Sequence, residues 1–168
     1  MTGAERNFLF ALMTARIEQA VAARRNPDFL IIARTGAVKN EGFAQALDRL
    51  QAYRGAGADV LMLMPEDDRQ IQEARERLDG PLATITSLDA KPKEAWAQLG
   101  WNLIIDPFTA QVLAFDAVRD AYRSFQADGV TGADNKSLFK TYRELPAVAG
   151  LDALYAIEDA TTEKPEGM

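Results

Sequence analysis

Four polar residues that could bind a small anion each follow an apolar stretch of the chain: Arg34, Thr35, Thr86 and Asp106. The planar guanidinium of Arg34 can hold a carboxylate through two parallel N–H bonds. The hydroxyls of Thr35 and Thr86 could donate hydrogen bonds to the same oxygens, and Asp106 could act as a general base or accept from Arg34. Together these residue types predict a site for a small carboxylate.

Each of these residues also has an ordinary structural interpretation. Arg34 could pair with a neighbouring acid such as Asp59 or Asp106, and Asp before Pro107 is common in turns. Threonine hydroxyls, and that of Ser87, often bond to the local backbone. The turn interpretation is favoured for Ser87 and Asp106.

The composition excludes several classes of chemistry. The chain has 168 residues with 0 His and 0 Cys, so it cannot build an imidazole base, a thiolate nucleophile, a Ser-His-Asp triad or a Cys/His zinc site. Lys and Arg number 19 against 25 Asp and Glu, which gives a net charge of −6 and a pI near 4.8. This balance disfavours nucleic acid as a partner.

A cluster of three acids, Glu66, Asp67 and Asp68, follows the second apolar run. Carboxylate oxygens are the ligands that Mg²⁺ prefers. Asp67 or Asp68 also suits a helix N-cap, and acids in a first turn complement the helix dipole. Capping is the favoured interpretation, so no metal site is predicted here.

The elements that must position these residues alternate along the chain. Four apolar runs predict strands of a parallel sheet: residues 29–33, 60–64, 82–85 and 101–105. Apolar residues at three- and four-residue spacing predict a helix before each run, ended by Gly or Pro. The strand starts lie 31, 22 and 19 residues apart, which is βα-unit spacing. The predicted fold class is therefore α/β.

The C-terminal part of the chain is predicted to be helical. A helix through residues 112–125 ends at Asp128-Gly129, a loop covers 130–135, and a second helix over 137–143 is broken at Leu145-Pro146. We expect one domain over residues 1–157 and a disordered acidic tail over 158–168. With no apolar run near the roughly 20 residues that cross a bilayer, and no signal-peptide pattern, we expect a cytoplasmic protein without membrane partners.

Four segments together resemble the isocitrate lyase/phosphoenolpyruvate mutase superfamily. The first two are Asp28-Phe-Leu-Ile-Ile-Ala-Arg-Thr35 and Tyr53-Arg-Gly-Ala-Gly-Ala-Asp59. The others are Pro81-Leu-Ala-Thr-Ile-Thr86 and Ile104-Ile-Asp-Pro107. The resemblance covers residues 17–129, and the first pair is the more specific.

The resemblance implies a partial TIM-barrel-like fold of about four parallel βα units plus C-terminal helices. In the family, a (β/α)₈ barrel carries the active site at the C-terminal ends of its strands, and this chain is similar to the fifth to eighth strands. The earlier strands carry the family's Mg²⁺ ligands and a Lys-Cys-Gly-His loop, so the ligands of that cofactor are not in this chain. The family Arg that matches Arg34 binds the substrate carboxylate.

The chain departs from the family pattern at several matching positions. Gly36 stands where the family has Asp, Met64 where it has Glu, and Asp106 where it has Tyr. These changes weigh against standard isocitrate lyase or mutase chemistry.

The resemblance implies a lyase or mutase that acts on a small 2-oxo or enolate-forming carboxylic acid. We expect a truncated form that another chain completes for activity, and the alternative is a non-catalytic relic or anion-binding α/β protein. The expected substrate-binding residues are Arg34, Thr35, Thr86 and Asp106. Family members exchange C-terminal helices, and apolar residues of the corresponding segment, such as Leu138, predict a homo-oligomer.

Overall fold

The computed structural model describes residues 3–161, with side chains from residue 10 onward, and divides the chain into two compact units, residues 1–111 and 112–168. The predicted α/β class is confirmed. The first unit contains α1 (Gly3–Ala23), β1 (Ile32–Arg34), α2 (Ala37–Asn40), α3 (Phe43–Gly55), β2 (Val60–Met62), α4 (Asp68–Arg77), β3 (Leu82–Ile85), a 3₁₀ turn (Leu88–Ala90), α5 (Lys93–Gln98) and β4 (Leu103–Ile105). The second contains most of α6 (Thr109–Asp128), α7 (Asn135–Val148) and α8 (Leu151–Thr161).

The four strands form one parallel sheet in the order β1-β2-β3-β4. Arg34 is the register partner of Met62, Met62 of Ala83, and Ala83 of Leu103. Because each strand is joined to the next through a helix, the C-terminal ends of all four strands meet at one edge. This is the predicted half of a TIM-barrel-like array.

Strand β1 is shorter than predicted. Phe29 and Leu30 are 69% and 59% exposed, so the prediction that residues 29–33 form a fully buried strand was wrong at its start. The Phe29 N–H donates to the Asn26 carbonyl (3.1 Å), which closes a turn. Arg24 then donates to the Phe29 carbonyl (3.3 Å) and to the Asp59 carboxylate (2.7 Å). These bonds hold Phe29 outside the sheet.

The two faces of the sheet have different surroundings because strand side chains alternate. One face packs on the helices and forms the main core. Its buried members are Ile17, Ala33, Leu47, Leu50, Tyr53, Ala56, Ala58, Leu61, Leu63, Ile71, Ala74, Leu78, Leu82, Trp96 and Trp101. The opposite face carries a smaller apolar cluster of Val60, Met62 and Ala83, with Ile85 and Ile105 against it. We call the two sides the helix face and the open face.

Arg54, in the last turn of α3, joins the approaches to two neighbouring strands. Its Nη1 donates to the carbonyls of Ala58 and Asp59 (2.5 and 2.8 Å), just before β2. Its Nη2 donates to the carbonyls of Asp79 and Pro81 (2.9 and 3.3 Å), just before β3. Burial lowers the pKa of this guanidinium. One side chain therefore satisfies backbone acceptors at the N-terminal ends of both strands.

Arg75, near the end of α4, repeats this arrangement one unit further along the sheet. Its Nη1 donates to the carbonyls of Gly80 (2.8 Å) and Gly100 (3.3 Å), and its Nη2 donates to the Leu78 carbonyl. These carbonyls precede β3 and β4. The N-terminal edge of the sheet is thus held by arginines that each span two connections.

The second unit consists of helices that expose much of their apolar surface. No residue in its described part, 112–161, is buried, although all three helices carry large apolar side chains. None of the helices within residues 3–161 is long and apolar enough to cross a bilayer.

Two helix boundaries in this unit differ from the prediction. The break predicted at Leu145-Pro146 was wrong, because α7 includes Pro146 and ends at Val148. Pro146 falls in the last turn, where the helix loses one N–H donor but continues only two residues further. Helix α8 reaches Thr161, whose hydroxyl donates to the Ile157 carbonyl (2.7 Å), so it extends into the tail predicted to be disordered from residue 158. Residues 162–168 of that tail lie outside the described residues.

Candidate functional site

Arg34 lies at the C-terminal end of β1, on the open face of the sheet. Its register partner Met62 belongs to the apolar cluster of that face, and paired residues of adjacent strands point to the same side. The side chain is exposed, and among the described residues it has no hydrogen bond or ion pair. The parallel N–H donors of the Arg34 guanidinium are therefore available to a ligand at this edge.

The acids that could have paired with Arg34 are used elsewhere. Asp59 accepts from Arg24 (2.7 Å) and from the Ile31 N–H (2.8 Å). Asp106 is held by backbone groups of its own loop and of the 3₁₀ turn after β3, as described below. The structure thus does not support the structural interpretation of Arg34 as the partner of either acid.

Thr35 lies on the other side of the sheet from Arg34. It is only 5% exposed, and its hydroxyl accepts from the Ala37 N–H (3.2 Å). Consecutive strand residues point to opposite faces, so a ligand on the open face meets Arg34 and not the Thr35 hydroxyl. The Thr35 hydroxyl therefore bonds to the first residue of α2 and stabilises the turn that leads into this helix.

Thr86 and Ser87 follow the end of β3. The Thr86 N–H donates to the Ile105 carbonyl (3.0 Å), which extends the hydrogen bonding between β3 and β4 by one residue. Because strand side chains alternate, Thr86 lies on the same face as the buried Thr84, which is the helix face. Ser87 Oγ accepts from the Asp89 N–H (3.1 Å) and caps the 3₁₀ turn. Ser87 therefore has the turn role that the sequence favours.

Asp106 begins the loop that leads into α6. Its carboxylate accepts from the N–H groups of Leu88 (2.9 Å), Phe108 (2.9 Å) and Thr109 (2.8 Å). The Thr109 hydroxyl, followed by these backbone donors, holds the pKa of Asp106 well below its usual range. Such a group stays ionised and its oxygens are engaged, so it is a poor base and has no contact with Arg34.

The acidic turn after β2 is explained by helix capping and one ion pair. Asp67 accepts from the Gln70 N–H (2.7 Å) as the N-cap of α4, and Asp68 lies 2.6 Å from Lys91 Nζ. Within residues 3–161, no group of three or more acids converges in a way that could hold a metal ion. These side chains therefore do not fit the Mg²⁺ site of the family.

A row of apolar side chains stands beside Arg34 at the C-terminal edge. Ile85 pairs with Ile105 in the register, and Met64 follows Met62 in phase on the same face. All three are half-buried. We call Met64, Ile85 and Ile105 the apolar row. The predicted site residues did not include it, because strand alternation relates residues of one strand only, and the register is needed to place the row on the same face as Arg34.

A cavity of about 530 Å³ lies against α5 and β4, and its lining does not include Arg34. Trp96 and Trp101 line it with edge-to-face rings whose centroids are 6.0 Å apart. Both side chains are buried, as the packing interpretation of these residues requires.

Comparison with known proteins connects this site with one family. Residues 2–126 match the family described as phosphoenolpyruvate phosphomutase. The chain is 31% identical over 151 residues to 2,3-dimethylmalate lyase of Eubacterium barkeri, which covers 87% of this chain and 52% of that protein. It is 46% identical over 84 residues to 2-methylisocitrate lyase of Salmonella typhimurium, which covers 48% of this chain and 28% of that protein.

Solved structures show the same relationship. A 2,3-dimethylmalate lyase structure matches 92% of this chain with a TM-score of 0.73 and 28% identity, over 57% of its own length. A phosphonopyruvate hydrolase complex with oxalate and Mg²⁺ matches 92% with a TM-score of 0.72 and 25% identity, over 56% of its length. The chain spans about half the length of these relatives. It belongs to the phosphoenolpyruvate phosphomutase family, within the isocitrate lyase/phosphoenolpyruvate mutase superfamily.

Proposed function

We propose that this chain binds a small carboxylate through Arg34 as part of a lyase or mutase of its superfamily. The observation that carries the proposal is the exposed Arg34 guanidinium at the C-terminal edge of the sheet, which has no acid partner among the described residues. Relatives are named for their action on 2,3-dimethylmalate and 2-methylisocitrate, and one structural neighbour holds the product oxalate. All three compounds are small carboxylates.

The chemistry that this chain's residues contribute is anion binding. A guanidinium can hold both carboxylate oxygens and stabilise negative charge that develops next to them. Thr35, Thr86 and Asp106 stay predictions as substrate-binding residues, and their local hydrogen bonds favour a role in shaping the loops around Arg34. We assign the metal ligands and the acid-base group of a complete lyase to another polypeptide segment, because the described acids do not fit them.

A second candidate function is carboxylate binding without bond cleavage. It is favoured by the engagement of Asp106 with backbone donors, which leaves no free carboxylate on β4 beside the C-terminal edge. The two functions make the same prediction for Arg34 and differ only in turnover.

The test is a calorimetric titration with oxalate, compared between the wild-type chain, Arg34→Lys and the control Arg25→Lys. Arg34→Lys keeps the charge and loses the two-pronged donor, so we expect about tenfold weaker binding. Arg25 is exposed just beyond the end of α1, and its substitution should leave the affinity unchanged. Equal affinity in all three proteins would overturn the proposal.

Turnover separates the lyase from the binding protein. 2,3-Dimethylmalate and 2-methylisocitrate should be incubated with the chain and Mg²⁺, and cleavage products measured. Cleavage that Arg34→Lys removes supports the lyase. Without the segment that carries the metal ligands, the chain should bind oxalate without cleavage under either function, so the second candidate requires that cleavage stays absent when that segment is added.

We further propose that the chain forms a homo-oligomer in the cytoplasm. The support for self-association is the second unit, where α7 exposes Leu138 (52%), Phe139 (61%) and Tyr142 (71%). Large exposed apolar patches mark contact surfaces in proteins of this size.

A further inference from the structure

The open face of the sheet combines one cation with an otherwise apolar surface. The register places Arg34, Met62, Ala83 and Leu103 side by side across the four strands. The next layer toward the C-terminal edge is the apolar row of Met64, Ile85 and Ile105. In these two layers, Arg34 is the one charged side chain.

The residues of this surface differ in how accessible they are. Met62 and Ala83 are buried at 6% and 0% exposure, so they form a floor that a ligand does not touch directly. Arg34 is exposed, Leu103 is 39% exposed, and the apolar row is half-buried. A small molecule held by Arg34 therefore lies against hydrocarbon and thioether groups on its inner side.

This arrangement selects between kinds of carboxylate. An alkyl branch next to the carboxylate would leave water on contact with the apolar row, and this burial of apolar surface favours binding. A second carboxylate in the same place would lose water without a cation or donor from these strands to replace it. The surface thus favours binding of a ligand with an apolar substituent and disfavours binding of one with a second charge.

From these observations we infer that the apolar row is an alkyl-binding subsite beside Arg34. The ligand class is a small 2-oxo or 2-hydroxy acid whose one carboxylate meets Arg34 and whose branched alkyl group meets Met64 and Ile85, the members of the row on the two strands nearest to β1. This inference rests on the proposed function, because it needs Arg34 to anchor the carboxylate. Beyond the carboxylate that Arg34 binds, the inference specifies that the rest of the ligand is a branched alkyl group.

The experiment compares pyruvate with α-ketoisovalerate, which has the same 2-oxo carboxylate and two additional methyl groups. With the full chain in calorimetric titrations, we expect α-ketoisovalerate to bind about tenfold more tightly than pyruvate. Met64→Gln should reduce that ratio to about one to two by placing an amide in the subsite, with little change for pyruvate. The matched control is Leu88→Gln, an exposed residue of the 3₁₀ turn outside the row, which should keep the ratio.

The possible outcomes separate this inference from the proposed function. If both acids bind equally and Arg34→Lys weakens both, the subsite is wrong while the Arg34 site stands. If neither acid binds, or if Arg34→Lys changes nothing, both are wrong. Circular dichroism and thermal unfolding of each variant establish that it is folded. If Met64→Gln is not folded, Ile85→Val takes its place, and the expected effect is a ratio reduced about threefold.

Discussion

Gly80 and Arg54 occupy adjoining space before β3, where a Cβ added to Gly80 would lie 2.7 Å from Nη2 of Arg54. Gly80 also has a φ of +74°, which L residues rarely adopt. We expect Gly80→Ala to lower the free energy of unfolding by about 2 kcal/mol in urea titrations. Gly36→Ala is the control, since Gly36 has a φ of −99° and nothing within 4 Å of an added Cβ. Equal midpoints for the two variants would contradict the prediction.

Replacement of Arg54 tests the bonds themselves. A lysine ammonium has three N–H donors on one nitrogen, so it cannot replace the two forked nitrogens by which Arg54 bonds to four carbonyls. Arg54→Lys should therefore destabilise the first unit by about 2 kcal/mol. Arg69→Lys provides the comparison, because Arg69 is an exposed residue that forms an ion pair with Glu73 at a separation of 3.9 Å. Its substitution should change stability by less than about 0.5 kcal/mol. A loss as large for Arg69→Lys as for Arg54→Lys would show that the carbonyl bonds are not the cause.

Asp106 gives a dependence of stability on pH. Because hydrogen bonds from the Thr109 hydroxyl and from backbone N–H groups lower its pKa in the folded chain, the ionised form stabilises the fold. This contribution is complete above the unfolded-state pKa of about 3.9 and is lost as pH falls through the lower folded-state value. The difference in unfolding free energy between wild type and Asp106→Asn should stay constant from neutral pH to about pH 5 and shrink below about pH 4. A difference that shrinks near neutral pH would contradict this.

Asp67 should act on stability and not on metal binding. Asp67→Ala removes the N-cap bond to the Gln70 N–H and should cost about 1 kcal/mol of unfolding free energy. Addition of millimolar Mg²⁺ should leave the melting temperature of both proteins unchanged. A rise with Mg²⁺ in the wild type that Asp67→Ala abolishes would mean that the acidic turn is a metal site.

The exposed face of α7 should control self-association. We expect sedimentation velocity to show concentration-dependent association of the wild-type chain, and Phe139→Asp to weaken it by placing a charge in the contact. Lys140→Asp changes the next residue of the same helix to the same acid and should have less effect. A wild-type chain that stays monomeric at high concentration would exclude this role for α7.

The order of strands and helices was predictable from the sequence, whereas the direction of the site side chains required the register. Apolar runs and Gly or Pro stops located four strands and the helices between them, because these signals are local. Arg34 and Thr35 were predicted as neighbours in one site, yet their side chains lie on opposite faces. The pairing of Arg34 with Met62 decides this, and it depends on residues distant in sequence.

Local competition also explains the boundaries that were missed. Phe29 is apolar and precedes a strand, but a turn with Asn26 and a bond from Arg24 hold its backbone. Pro146 was predicted to break a helix, but in a last turn it costs little. At Phe29, hydrogen bonds of the turn set where the strand begins. At Pro146, the loss of one backbone hydrogen bond so close to the helix end does not stop the helix.

The arginines before the strands give the two edges of the sheet different tolerance to change. Arg24, Arg54 and Arg75 each bond to the connections that precede two successive strands, so an insertion in one connection would disturb the next as well. At the opposite edge, the loop after β1 is held by a contact of its own, between Thr35 and the Ala37 N–H, whereas the loops after β2, β3 and β4 are joined by the Asp68–Lys91 and Leu88–Asp106 contacts. New loop sequences should therefore be accepted after β1, beside Arg34, and rejected in the connections that precede the strands, which makes the first unit a scaffold whose ligand specificity can change without loss of its fold.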